Sequence, residues 1–245
     1  MTENSTQKKP TALVTGANKG IGYEIAAGLA RLGFRVGVGA RDAGRREESV
    51  EKLRAAGLDV FGVPLDVTDD ASVAAAAAQL EALGGLEVLV NNAAITGGMP
   101  QEPTKVSAEQ VLAVVDTNVV GVIRVTNAML PMLRRAAAPR IVNVSSTVGS
   151  LTLQTAQAEA VGPISAAYSP TKSYLNAITI QYAKELAGTR ILINAGCPGY
   201  VATDLNGHRG TRTPEQGAAI FLELATLPDD GPSGTFRDDT GIQPW

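Results

Sequence analysis

Thr11-Ala12-Leu13-Val14-Thr15-Gly16-Ala17-Asn18-Lys19-Gly20-Ile21-Gly22 is the stretch that decides the fold. Its first residues form an apolar, β-branched run, the composition of a strand buried on both faces. Three glycines follow, and a helical pattern then runs from Gly20 to Leu32. In a strand–turn–helix unit, Gly16 permits the tight turn, Gly20 lets backbone approach a phosphate, and Gly22 lets the helix lie close on the sheet. The helix N-terminus then offers free N–H groups and a positive dipole end, which suit a pyrophosphate. The Gly-Lys-Ser/Thr ending of a nucleoside triphosphate loop is missing. The turn therefore reads as a dinucleotide site formed by Gly16, Asn18, Lys19, Gly20, Ile21 and Gly22.

The same alternation continues to the end of the chain. Strands are expected at Thr11–Val14, Arg35–Val38, Asp59–Val63, Leu86–Val90, Arg140–Val144 and Arg190–Asn194, with a short last one near Thr235–Phe236. Helices are expected at Gly20–Leu32, Arg45–Ala56, Asp70–Leu83, Ala108–Ala137, Ala167–Leu186 and Pro214–Thr226. Continuous Val/Ile/Leu strands alternating with helices predict an α/β fold, a single doubly wound parallel sheet with helices on both faces. Neither a linker nor a repeat divides residues 1–245, so one dinucleotide-binding and catalytic domain is expected, with residues 1–9 as a flexible tail.

Composition narrows the function. A net charge of -3 gives no footing for nucleic acid. One cysteine, Cys197, rules out an internal disulfide, and one histidine, His208, rules out a polyhistidine metal site. No metal is expected. Cys197 reads as small packing and His208 as a surface loop residue. No signal peptide or uninterrupted apolar run of membrane-spanning length is apparent, so a cytoplasmic protein without a membrane partner is expected.

Two features speak to cofactor and chemistry. The second strand ends Gly39-Ala40-Arg41-Asp42. A site preferring NAD places an acid at that strand end to hold the ribose 2′-hydroxyl. Ala40 stands there instead, followed by Arg41, and Lys19 is within reach, so a 2′-phosphate and NADP(H) are favoured over NAD(H). Asp42 argues the other way. Further on, Tyr168 and Lys172 are four residues apart and share a helix face. A phenol titrates near ~10, and a neighbouring ammonium pulls that value toward neutrality.

Together these residues resemble the short-chain dehydrogenase/reductase family over essentially the whole chain. The matching pieces are Thr15 to Gly22, Asp66-Val67, Asn91-Asn92-Ala93-Ala94, Asn118, Val144-Ser145-Ser146, Tyr168-x-x-x-Lys172, and Pro198-Gly199 followed by Thr203. Within the family the chain is similar to NADPH-dependent carbonyl reductases. The resemblance implies a Rossmann fold and an oxidoreductase that reduces the carbonyl of small-molecule aldehydes and ketones. Tyr168 would be the acid/base. Lys172 would lower its pKa and bind the nicotinamide ribose, Ser146 would polarise the carbonyl, and Asn118 would hold a relay water. Asp66 and Val67 would receive adenine, Asn91 and Ala93 would line the cleft, and Pro198, Val201 and Thr203 would cradle the nicotinamide. Alternatives are an alcohol or hydroxysteroid-type dehydrogenase working oxidatively, and a cofactor-binding sensor without turnover. The stretch from about Leu151 to Pro163 departs from most relatives in length and leaves monomer, dimer and tetramer open.

Overall fold

The computed structural model describes residues 9–156 and 162–245. Most of the expected tail, and part of the long stretch before Tyr168, lie outside the described residues. The sheet has eight strands in the order β3-β2-β1-β4-β5-β6-β7-β8. They are β1 (Thr11–Thr15), β2 (Arg35–Ala40), β3 (Val60–Pro64), β4 (Val88–Asn91), β5 (Arg140–Val144), β6 (Leu192–Gly196), β7 (Phe236–Asp238) and β8 (Gly241–Ile242). All pair in parallel except β7 with β8, which form an antiparallel edge. The order reverses between β1 and β4. In open α/β sheets that crevice, outside the carboxyl ends of the strands, is where ligands bind.

The helices are α1 (Gly20–Arg31), α2 (Ala43–Ala55), α3 (Asp70–Ala82), α4 (Ala108–Val115), α5 (Gly121–Leu133), α6 (Leu151–Ala156), α7 (Ser169–Glu185) and α8 (Pro214–Ala225). One apolar cluster joins α1, α2 and α8 to one face of the sheet, through Ile25, Leu29, Val50, Leu53, Phe221 and Leu224. The other joins α3, α5 and α7 to the opposite face, through Leu80, Val125, Met129, Leu133 and Tyr182. Both faces are covered, which is why the strands carry apolar residues without alternation.

Three local outcomes differ from expectation. A short helix, α6, follows β5, and the strand β8 closes the edge; neither was expected. The expected helix Ala108–Ala137 is α4 and α5 joined by a π turn, Asp116–Val120, and ends at Leu133. Residues 108–133 together are long and apolar enough, by length and composition, to cross a membrane, although Glu109, Asp116 and Arg124 interrupt the run. Val125, Met129 and Leu133 are buried in the core.

Candidate active site

The glycine turn sits at the carboxyl end of β1, against the end of β4. Gly16 has φ 65° and Gly20 φ 57°, values that glycine adopts without strain. A Cβ on Gly16 would lie 2.9 Å from the Ala93 Cα. The two strand ends are stitched together: the Thr15 hydroxyl accepts from the Asn92 and Ala93 N–H groups, and the Asn92 amide donates to the Thr15 and Gly16 carbonyls. Lys19 is the N-cap of α1 and makes no side-chain capping bond. The first N–H groups of α1 are therefore left for an anion. A cradle with no room for a Cβ at Gly16 or Gly22, at a helix N-terminus without a side-chain cap, fits the pyrophosphate of a dinucleotide.

At the end of β2, Ala40 is buried and its carbonyl accepts from Arg46. Asp42 caps α2, its carboxylate accepting from the Arg45 N–H, and that occupies the one acid that argued for NAD. Arg41 is exposed, and its charge helps hold the Asp66 carboxyl below the usual range. Lys19 points toward the loop after β6, where its ammonium pairs with Asp204 at 2.6 Å. Both partners are exposed, so the pair is weak.

Asp66 accepts from the N–H and hydroxyl of Thr68, and these bonds are the main reason its pKa is low. The helix that follows is capped by Asp69, not by Asp66. Val67 is held from two sides. Its carbonyl accepts from Arg124, and its side chain rests on Gly121, where a Cβ would lie 2.9 Å from the Val67 Cγ2.

Asn91 was expected to line the cleft. Its side chain turns inward, donating to Thr126 and Asn143, and Asn92 reaches the glycine turn instead. Asn118 lies in the π turn. Its amide accepts from the Ile95 N–H and donates to the Ile95 carbonyl and to the Thr171 hydroxyl. Thr171 in turn donates to the Tyr168 carbonyl at 2.6 Å. π turns leave irregular backbone bonding and are frequent at functional sites.

Tyr168 is the N-cap residue of α7, and the Lys172 ammonium lies 5.5 Å from the centre of its ring. Lys172 is 3% exposed and donates to the Val144 carbonyl at 2.7 Å. The turn after β5, Thr147–Gly149, packs onto the α7 backbone, and a Cβ on Gly149 would lie 2.6 Å from the Lys172 carbonyl carbon. Ser146 begins that turn and is half-buried. Ser145 points the other way and donates to Asn176. The loop after β6 closes the region. Pro198 and Val201 pack on Gly217 of α8, and Thr203 lies 3.4 Å from where a Gly20 Cβ would stand.

A family model for the short chain dehydrogenases matches residues 10–213. The chain belongs to the short-chain dehydrogenase family. Membership makes it an oxidoreductase of CH–OH and C=O groups. It is 34% identical to the NADPH carbonyl reductase 1 of Mus musculus, over 98% of this chain and all of the relative. It is 32% identical to salutaridine reductase of Papaver bracteatum, over 96% of both chains. An NADPH-bound carbonyl reductase from chicken fatty liver superposes with a TM-score of 0.85, at 30% identity over 98% of this chain and all of the other.

In this short-chain dehydrogenase the Tyr/Lys pair is governed by burial. Desolvation pushes the Tyr168 phenol up, and a thiolate at Cys197 would add to it. The Lys172 ammonium is itself desolvated, its pKa lowered to about 8, and it spends a hydrogen bond on the Val144 carbonyl. Cys197 takes the N–H groups of Thr147 and Gly199, and burial raises its thiol, so it serves as packing. His208 is exposed on Asp204. Among the described residues no cluster of His, Cys, Asp and Glu could hold a metal.

The low Lys172 value has a measurable consequence. Between about 8 in the folded chain and 10.5 in the unfolded one, only the unfolded chain retains this proton, so stability from this site rises with pH across that window. The stability of wild type relative to Lys172→Met should therefore grow from pH 8 to 9.5, by no more than about 1.4 kcal/mol per pH unit. Urea unfolding of the cofactor-free proteins checks this, and a flat difference would contradict it.

Proposed function

We propose that the chain is an NADPH-dependent reductase of aldehydes and ketones. The observation that carries this reading is that three groups come together at the carboxyl end of β5, the neighbour of β4 in the sheet. Tyr168 lies beside the buried Lys172, and the turn bearing Ser146 is packed onto that lysine, while β4 is itself tied to the glycine turn. Bound NADPH would supply the hydride. The residues present would hold it: the glycine turn at the pyrophosphate, Asp66 and Val67 at adenine, Arg41 at the 2′-phosphate, Lys172 at the nicotinamide ribose. Reduction builds negative charge on the carbonyl oxygen. Ser146 donates a hydrogen bond to that oxygen, and Tyr168 gives it a proton. The relatives named above as NADPH carbonyl reductases support the same assignment.

Substrate size is suggested by the rim. Met99, Leu151, Ile164, Tyr200 and Leu205 are large, exposed and apolar, and all stand on segments that follow β4, β5 or β6 at the carboxyl edge. They suit bulky apolar carbonyl compounds. The test is NADPH and NADH consumption over a panel of aldehydes and ketones of increasing apolar bulk. Turnover with NADPH that improves with bulk supports the proposal. Activity confined to one small ketone removes the substrate reading, and no turnover with any compound leaves a cofactor-binding protein.

Coenzyme choice is tested separately. A charge-assisted bond to the 2′-phosphate is worth about 1.5–3 kcal/mol, so Arg41→Asp should lower kcat/KM for NADPH by on the order of 30-fold and leave NADH unchanged or improved. An equal loss with both coenzymes would remove Arg41 from this role.

A further inference from the structure

We infer that Gln101 is a positioning residue for Tyr168, an inference that rests on Tyr168 being the proton donor. Gln101 lies on the loop after β4 and is 7% exposed, an unusual place for a glutamine. Its side chain spends its bonds on two segments. The amide NH2 donates to the Thr96 and Gly98 carbonyls of its own loop. The amide oxygen accepts from the Ala167 N–H at 3.1 Å and takes a longer bond, 3.5 Å, from the Ser165 hydroxyl. The Gln101 backbone carbonyl accepts from the Ala166 N–H at 2.9 Å. Residues 165–167 are therefore moored to Gln101 immediately before Tyr168.

The mooring closes a circuit. Asn118 holds both backbone polar groups of Ile95 and reaches the Tyr168 carbonyl through Thr171. Gln101 holds the other end of that loop and reaches Tyr168 from its N-terminal side. Tyr168 lies at the start of α7, and its own side chain makes no capping bond. The residue is located by what holds its backbone on each side: Thr171 after it, Gln101 before it. Misplacement of a reacting group by about 1 Å can cost on the order of 100-fold.

A control separates this role from simple ordering of the loop. Gln110 of α4 ties the same loop, donating to the Pro100 and Gly98 carbonyls, but does not bond residues 165–167. The experiment compares Gln101→Met, Gln101→Glu and Gln110→Met for kcat, KM, NADPH affinity and the solvent deuterium isotope effect on kcat. In Gln101→Met, kcat should fall on the order of 10- to 100-fold, NADPH affinity should stay within about twofold, and the isotope effect should rise as proton donation becomes slower. Gln110→Met should change neither kcat nor the isotope effect. In Gln101→Glu the introduced carboxyl can donate only when protonated, so its kcat relative to wild type should recover as pH falls. If Gln101→Met and Gln110→Met behave alike, or Gln101→Glu shows no recovery, the positioning role is wrong. Turnover that survives Tyr168→Phe would instead remove the reading on which the inference rests, whatever the glutamine variants do.

Discussion

Tyr168→Phe is expected to lower turnover by on the order of 1,000-fold or more and to leave NADPH affinity within about twofold of wild type. A positioned proton donor contributes about 10²- to 10⁴-fold, and no other hydroxyl is placed to replace it with the same polarity. Ser146 is placed to donate a hydrogen bond to the substrate oxygen and stabilises the charge that develops there, while Tyr168 transfers its proton. The substitution should also be benign to the fold. Among the described residues the Tyr168 hydroxyl has no hydrogen-bonding partner within the protein, so its loss orphans nothing. The Lys172 ammonium keeps its bond to the Val144 carbonyl, and the ring beside it remains. A fluorescence titration with NADPH, a melting curve and a steady-state assay therefore divide the outcomes cleanly. Lost turnover with intact binding and melting supports acid catalysis by Tyr168. Turnover within tenfold of wild type sinks the mechanism. Lost binding would place the phenol in the cofactor site rather than at the substrate oxygen.

Much of the fold was legible because burial on both faces writes itself into composition. β5 was read at its observed bounds, Arg140–Val144, since a five-residue run of that kind has no competing period. What failed was set by tertiary contacts. α6 is six residues long and carries no apolar stripe to announce it. The π turn at Asn118 is invisible to a 3.6-residue period, because helix pattern continues on both sides of it. Asn91 and Asn92 are adjacent and chemically identical; strand geometry sends one inward and the other to the glycine turn, and the residues alone do not say which. The Lys19–Asp204 pair has no local signature either, because the two residues are 185 apart in the chain. Gly149 and Thr171 escaped notice for a related reason. A glycine whose purpose is to admit another helix's backbone, or a threonine that bridges two turns, has no local signature.

Gly22→Ala should weaken NADPH binding by on the order of 50-fold or more, whereas Gly28→Ala, six residues along the same helix, should leave it unchanged. Both glycines are buried on α1 and both are crowded, so the contrast isolates what each contact serves. A Cβ on Gly22 would stand 2.4 Å from the Asn92 amide nitrogen, 2.7 Å from the Gly16 carbonyl oxygen and 3.1 Å from the Ala17 Cα. Two of those three are backbone of the phosphate turn, and the third is the side chain that stitches β4 to that turn. None can yield without opening the cradle, and losing two or three N–H contacts to a pyrophosphate at about 1–1.5 kcal/mol each accounts for the factor. The three atoms nearest a Cβ on Gly28 would be the methyl groups and Cγ of Leu222, at 2.5, 2.8 and 3.2 Å. That side chain belongs to α8 and can shift at an overpacking cost of about 1–3 kcal/mol. Gly28→Ala should therefore melt earlier than wild type yet bind NADPH as tightly, while Gly22→Ala loses affinity out of proportion to any loss in stability. Isothermal titration with NADPH beside thermal melts of both variants reads the two effects apart. Equal affinity losses in the two variants would mean that α1 acts as a rigid unit, and that the cradle is not set residue by residue at its first turn.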